Sequence, residues 1–210
     1  MKNIKVIIFD LGGVILNINY QNTIDSFKRL GAKNIDSFYS KKTQPHIFHL
    51  IETGEITAEQ FLNDLQKLTD NAAISEVKDA WNSMLLDLPE NRLDLLLSLK
   101  RKYKLFLLSN TNTIHITAIS NKLGAAQWKG FCNLFDKMYL SHELGVRKPN
   151  IEAFQFILKQ QQLNPNEVLF IDDSPQHTEG AKKIGIICCH LKDGKDITTL
   201  FSDKVLSILH

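Results

Sequence analysis

Three short apolar runs constrain this chain most, because each ends abruptly on residues that can handle a phosphoryl group. Lys5-Val6-Ile7-Ile8-Phe9 leads to Asp10, Leu105-Phe106-Leu107-Leu108 to Ser109-Asn110, and Val168-Leu169-Phe170-Ile171 to Asp172-Asp173. Continuous runs of this kind, rich in Val, Ile and Phe and separated by helical segments, read as parallel strands buried on both faces. Ligands of an open parallel sheet lie outside the carboxyl ends of its strands. A carboxylate, a hydroxyl–amide pair and a paired carboxylate are therefore expected to converge on one crevice. Clustered carboxylates repel one another and lose hydration, so a proton, a cation or donor groups must offset them. Gly145-Val146-Arg147-Lys148-Pro149 supplies one such donor in Lys148. Taken singly, Asp10 and Ser109-Asn110 would pass as turn residues, and Asp173 as a helix cap. Taken together they read as a site.

The chain between these runs divides by period. From about Tyr20 to Leu88 the spacing is helical with almost no strand signal. Ile24, Phe27 and Leu30 form a stripe stopped at Gly31; Phe48 and Ile51 form another, stopped near Gly54. Thr57 followed three positions later by Gln60 has the form of a capping box, and a fourth helix runs through Val77, Trp81 and Leu85. Phe27, Phe38, Phe48 and Trp81 fit the core of this bundle better than a pocket lining. The insertion is too long for a simple crossover between strands. The remainder alternates: a helix from about Glu90 to Lys100, a helix through Ile114 to Leu123, a short strand Lys137 to Leu140, a helix Ile151 to Gln161, a helix to Lys183, a strand Ile186 to Cys189 and a last helix from about Ile197 to Leu209. The expected fold class is α/β: a doubly wound, Rossmann-like parallel sheet with an inserted all-helical cap. The expected division is a core of residues 1–18 and 89–210 and a cap of residues 19–88.

Asp10-Leu11-Gly12-Gly13-Val14, Ser109-Asn110-Thr111, Lys148-Pro149 and Asp172-Asp173, in that order, resemble the four motifs of the haloacid dehalogenase superfamily. The likeness spans almost the whole chain. Leu108-Ser109-Asn110-Thr111-Asn112, Tyr139-Leu140-Ser141 and Gly145 to Pro149 are similar in wording to the branch of glucose-1-phosphate phosphatases and the amino-terminal phosphatase domains of epoxide hydrolases. The resemblance implies a Mg²⁺-dependent phosphatase of a small phosphorylated metabolite, with a sugar phosphate in view, working through an aspartyl-phosphate. It implies Asp10 and Lys148 as catalytic residues and phosphate contact by Leu11, Gly12, Ser109, Asn110 and Lys148. Asp10, Asp172, Asp173 and the backbone carbonyl of Gly12 are the implied metal ligands. In the family the inserted bundle closes the pocket and selects the substrate. One departure matters: most family phosphatases carry an acid/base Asp where this chain has Gly12. General acid–base catalysis contributes about 10²–10⁴ in rate. Its absence favours esters whose leaving oxygen needs little help, such as sugar 1-phosphates or acyl phosphates, unless the cap supplies a donor from His46, His49 or Glu52. His177 is a second departure, standing where similar sequences often have Asn.

Composition narrows the alternatives. With 25 basic against 23 acidic residues among 210, nothing argues for nucleic acid or an anionic membrane surface. No apolar stretch approaches the roughly 20 residues a bilayer span needs, and no signal-peptide pattern opens the chain. Cys132, Cys188 and Cys189 have no metal or redox spacing and read as reduced thiols of a cytoplasmic protein. His46, His49 and Glu52 read first as polar cap surface. The competing functional reading is a catalytically weak relative that binds a phosphorylated ligand or a protein partner, for which Gly12 is the support. A phospho-receiver domain puts its paired acids first and its Lys last, the reverse of this order. A dehalogenase has no need of Asp172-Asp173. Oligomeric state is not legible.

Overall fold

In the computed structural model, which describes residues 4–33, 35, 46–192 and 194–203, the first apolar run becomes strand β1 (Val6–Phe9). Helices α1 (Tyr20–Arg29), α2 (His46–Glu52), α3 (Ala58–Gln66) and α4 (Ile74–Asn82) follow. Then come α5 (Glu90–Lys100), β2 (Lys104–Ser109), α6 (Thr113–Cys132), β3 (Lys137–Leu140), α7 (Ser141–Leu144), α8 (Ile151–Gln161), β4 (Val168–Asp172), α9 (Pro175–Lys182), β5 (Ile187–His190) and α10 (Ile197–Asp203). The sheet order is β3-β2-β1-β4-β5, and every pairing is parallel. The fold is α/β with a five-stranded parallel sheet and a helical region, as the sequence pattern implies.

The unbroken apolar runs have a direct cause. Side chains alternate across a strand, so Val6 and Ile8 join Phe106, Phe154 and Phe170 on one face. Ile7 and Phe9 join Leu105, Leu107, Leu169 and Ile171 on the other. Both faces are covered by helices, and each fully buried side chain contributes about 1.5–3 kcal/mol relative to exposure. The first polar residue after each run therefore marks where the sheet ends and solvent begins.

Residues leaving and re-entering the sheet domain run side by side. Asn17 N donates to Asp87 O, Leu86 N to Asn17 O and Asn19 N to Met84 O, each at 2.9 Å, and Ile18 bridges Leu85 in antiparallel fashion. Leu85 thus lies in a linker, beyond the end of α4, and not in the helix expected through it. Above the linkers a separate apolar cluster gathers Phe27, Phe48, Phe61, Leu65, Val77 and Trp81. Phe48 and Trp81 stack at 5.4 Å, and Phe61 meets the Trp81 ring edge-on at 4.9 Å. Phe38, expected in this core, lies outside the described residues. Thr57 and Gln60 form the reciprocal capping box at the start of α3. The helix expected to end at Leu123 does break there, at Gly124 with φ 76°, but resumes as a second helical stretch to Cys132. The last helix is described to Asp203; its expected continuation to Leu209 lies outside the described residues. No described helix is long and apolar enough to cross a membrane.

Candidate active site

Strand ends β1, β2 and β4 deliver their polar residues to one place. Asp10 N donates to Ile171 O at 2.9 Å, so the sheet's own hydrogen bonding extends to Asp10 and fixes where its side chain starts. Lys148 arrives from the loop after α7, fully buried, through a cis bond to Pro149. Its Nζ donates to Asp10 Oδ1 and Asp172 Oδ2, both at 2.7 Å, and to Leu108 O at 2.8 Å. An ammonium group has three donors, and all three are used. Asn110 holds this loop from the end of β2: its Nδ2 donates to Lys148 O at 2.8 Å and its Oδ1 accepts from Lys148 N at 2.9 Å. The Asn110 side chain thereby helps to place Lys148. Sequence patterns give no sign of a partnership between residues 38 positions apart.

Asp172 is buried beneath the site. Its Oδ1 accepts from Ser174 N at 2.7 Å, and His177 Nδ1 lies 3.0 and 3.1 Å from its two oxygens. His177 is thereby a partner of Asp172 and not a surface helix residue. Carboxylate oxygens of Asp10, Asp172 and Asp173 all lie within 4.8 Å of one another. Gly13 makes this approach possible: it has φ +78°, and a Cβ there would sit 2.5 Å from Asp173 Oδ2. Three hard oxygen donors in one cluster fit a divalent cation such as Mg²⁺.

Proton affinities follow this crowding. Burial raises the Asp10 carboxyl to about 7; Lys148 pulls it down, while Asp172 and Asp173 push it further up. Burial also works to raise Asp172, but Lys148 and His177 outweigh it and hold that carboxyl below the usual range. Burial would lower Lys148, and the charges of Asp10 and Asp172 overcome it, keeping the ammonium protonated. The pair Lys148–Asp172 is thus charged throughout, and Asp10 is the carboxylate still short of positive charge.

A cleft of about 930 Å³ opens onto this cluster, lined among others by Asp10, Leu11, Gly12, Ser109, Asn110 and Asp173. Lys148 and Asp172 lie behind its wall. The cleft also takes in residues the sequence did not single out, notably Tyr20, His115 and Arg147. Arg147 had a signal, being next to Lys148; Tyr20 and His115 had none beyond helical spacing. Glu52 is a correction: it lines the cleft, with its Oε2 3.0 Å from Arg147 Nε, where polar cap surface was expected. His46 is exposed, and His49 is half exposed beside Glu55 at 3.8 Å.

Residues 7–191 match the family model of the haloacid dehalogenase-like hydrolases. The chain is 32% identical to the D-ribitol-5-phosphate phosphatase of Bacteroides thetaiotaomicron, covering 92% of this chain and 94% of that one. A wild-type HAD family enzyme from the same organism, solved with magnesium and inorganic phosphate, superposes with a TM-score of 0.84 at 35% identity, covering 94% of this chain and 99% of that one. A HAD-like family hydrolase from Porphyromonas gingivalis superposes with a TM-score of 0.82 at 30% identity, over 96% of this chain and 100% of that one.

Proposed function

The chain belongs to the haloacid dehalogenase-like hydrolases, and we propose that it is a Mg²⁺-dependent phosphatase of small sugar or sugar-alcohol phosphates, working through an aspartyl-phosphate on Asp10. One observation carries this: Lys148 Nζ stands 2.7 Å from both Asp10 and Asp172, in a cluster with Asp173 at the mouth of a cleft. A buried cation among carboxylates at strand ends suits phosphoryl transfer, which needs positioning and charge neutralisation above all. It also disfavours the reading as a weak binding protein, since the charged machinery is intact.

In this reading Asp10 attacks phosphorus, and Lys148 fixes the attacking carboxylate while neutralising charge that builds up on it. Ser109 and the backbone amides of Leu11, Gly12 and Asn110 hold phosphate oxygens. Asp10, Asp172, Asp173 and the Gly12 carbonyl would hold Mg²⁺, which when bound screens the phosphoryl charge from the carboxylates. Residues 1–18 and 89–210 act as the core and residues 19–88 as the cap, a division supported by the paired linkers and the separate apolar cluster. The finer likeness to glucose-1-phosphate phosphatases rests on motif wording. The 32% identity to a ribitol-5-phosphate phosphatase moves the weight from anomeric to primary phosphate esters. A cytoplasmic setting belongs to this reading and rests on the sequence.

The test is phosphate release from a panel of sugar, polyol and aryl phosphates, with and without Mg²⁺, by the wild type and Asp10→Asn. Turnover is expected with Mg²⁺ alone and is expected to vanish in the variant. Release that survives both chelation and Asp10→Asn would remove the mechanism.

A further inference from the structure

An alkyl phosphate has a poor leaving oxygen, and Gly12 leaves the core without a carboxyl to protonate it. The cleft nevertheless contains one that the reaction as described does not use. Candidates can be struck out in turn. His115 has both ring nitrogens engaged, with Asn112 and with Trp81 O. His177 is bound to Asp172, and His190 Nε2 lies 3.0 Å from Asp173 O. Lys192 lies at the exposed rim. Burial, and then the charges of Asp173, Asp10, Glu52 and Asp172, hold the Tyr20 proton more tightly than usual, so the phenol is a poor donor. Glu52 lines the same cleft as Asp10 and pairs with Arg147, the neighbour of Lys148 in sequence.

We propose that Glu52, carried by cap helix α2, protonates the leaving oxygen and then activates the hydrolytic water, in place of the carboxylate missing at Gly12. This rests on the phosphatase reading above. The local structure supports it in three ways. Glu52 is the last residue of α2, where the negative end of the helix disfavours a carboxylate. Arg147 Nε is 3.0 Å away, yet among the described residues no hydrogen-bond donor is aligned on Glu52 Oε2. The carboxyl thus has one buried oxygen that no aligned donor satisfies and a neighbouring guanidinium to stabilise the carboxylate when a proton departs. The end of α2 is also pinned to the core: Gly54 has φ +73°, and a Cβ there would lie 2.4 Å from His142 O. Burial raises the Glu52 carboxyl, Arg147 and then Lys148 draw it back, and it comes to about 7, where both forms are accessible near neutrality.

The cycle balances. As the Asp10 Oδ–P bond forms and the P–O bond to the alcohol breaks, the departing oxygen takes the Glu52 proton and leaves as alcohol. Glu52 is left as a carboxylate beside Arg147. Water then attacks phosphorus, the Asp10 Oδ–P bond breaks, and the water proton returns to Glu52 as phosphate is released.

The experiment compares wild type with Glu52→Gln in Mg²⁺, by rapid quench, on ribitol 5-phosphate and 4-nitrophenyl phosphate. The expected result is a fall of about 10²–10⁴-fold in first-turnover release of ribitol, with first-turnover release of 4-nitrophenol unchanged. Phosphoenzyme should then build up with 4-nitrophenyl phosphate, because its formation is unaffected while the base that hydrolyses it is gone. Equal loss with both esters, or loss with neither, overturns the proposal. A second measurement needs no variant: in the wild type, first-turnover release across a series of aryl and alkyl phosphates should depend weakly on the basicity of the leaving oxygen. A steep dependence also overturns it. Failure of the phosphatase reading itself would look different, as no phosphate release by the wild type from any ester.

Discussion

Replacing Lys148 by Met would keep most of the side chain's volume and remove the cation that Asp10 and Asp172 share. Removing one partner of a buried ion pair costs about 3–5 kcal/mol, because the remaining charge is left without compensation. The expected outcome is a loss of that size in urea unfolding without metal, smaller when Mg²⁺ is present, since a cation bound to the folded state stabilises it by mass action. Turnover should fall by at least about 10²–10³, the usual cost of one preorganised electrostatic contact. A variant as stable as wild type in chelator would show that Lys148 does not neutralise these carboxylates. Asp10, Lys148 and Asp172 were legible in the sequence because each sits one residue from a clear structural boundary or beside a proline. The two bonds from Asn110 to the Lys148 backbone were not legible, because they join positions 38 residues apart. Glu52 was misplaced because helical periodicity says which face of α2 is apolar and not which core residue the other face meets.

Gly13 shows how one element's backbone sets the distance between two others. At φ +78° a side chain is strained in any case, and its Cβ would also lie 2.5 Å from Asp173 Oδ2. Gly124 has nearly the same dihedral, φ +76°, with nothing within 4 Å of the added atom. Gly124→Ala therefore measures the backbone cost alone, of order 1–3 kcal/mol, and Gly13→Ala measures that cost plus displacement of Asp173 away from Asp10. Both variants should lose stability by comparable amounts. Gly13→Ala alone should need more Mg²⁺ for half-maximal activity, as read by titrating the metal against turnover. Equal Mg²⁺ midpoints in the two variants would mean that Asp173 contributes nothing to the metal site. The strands were legible almost to the residue because a run buried on both faces is apolar throughout. The kink in α6 was not, because both stretches have helical spacing and Gly124 is harmless on either side of the break.

His115 joins the two halves of the molecule: it belongs to α6 of the sheet domain and stacks on Trp81 of α4 at 4.8 Å. A carbonyl can only accept and an amide nitrogen only donate, so Nε2 carries the hydrogen toward Trp81 O and Nδ1 accepts from Asn112 Nδ2. That neutral tautomer is complete, and a second proton on the ring would face the Asn112 donor. Burial accordingly lowers His115 to about 4, against the smaller opposing pull of the Trp81 carbonyl. A base whose folded pKa is depressed contributes stability that is present above its unfolded value near 6.5 and is lost as pH falls through about 4. Glu52 has the opposite sign: raised to about 7, it contributes stability below its ordinary 4.5 that is lost as pH rises through 7. These slopes oppose each other, with Asp10, also raised to about 7, adding to that of Glu52, so the wild-type profile alone cannot separate them. His115→Gln can, because it removes that one titration and leaves the others. Between pH 7.5 and pH 4, wild type should lose on the order of 3 kcal/mol more unfolding free energy than the variant. Urea titrations of both proteins at the two pH values give the comparison directly. Identical losses would mean that the ring accepts its second proton in the folded state without disturbing the contact with Trp81, and that the helical region is held to the sheet by the apolar cluster around Ile18, Leu85 and Ile114 without help from a neutral imidazole.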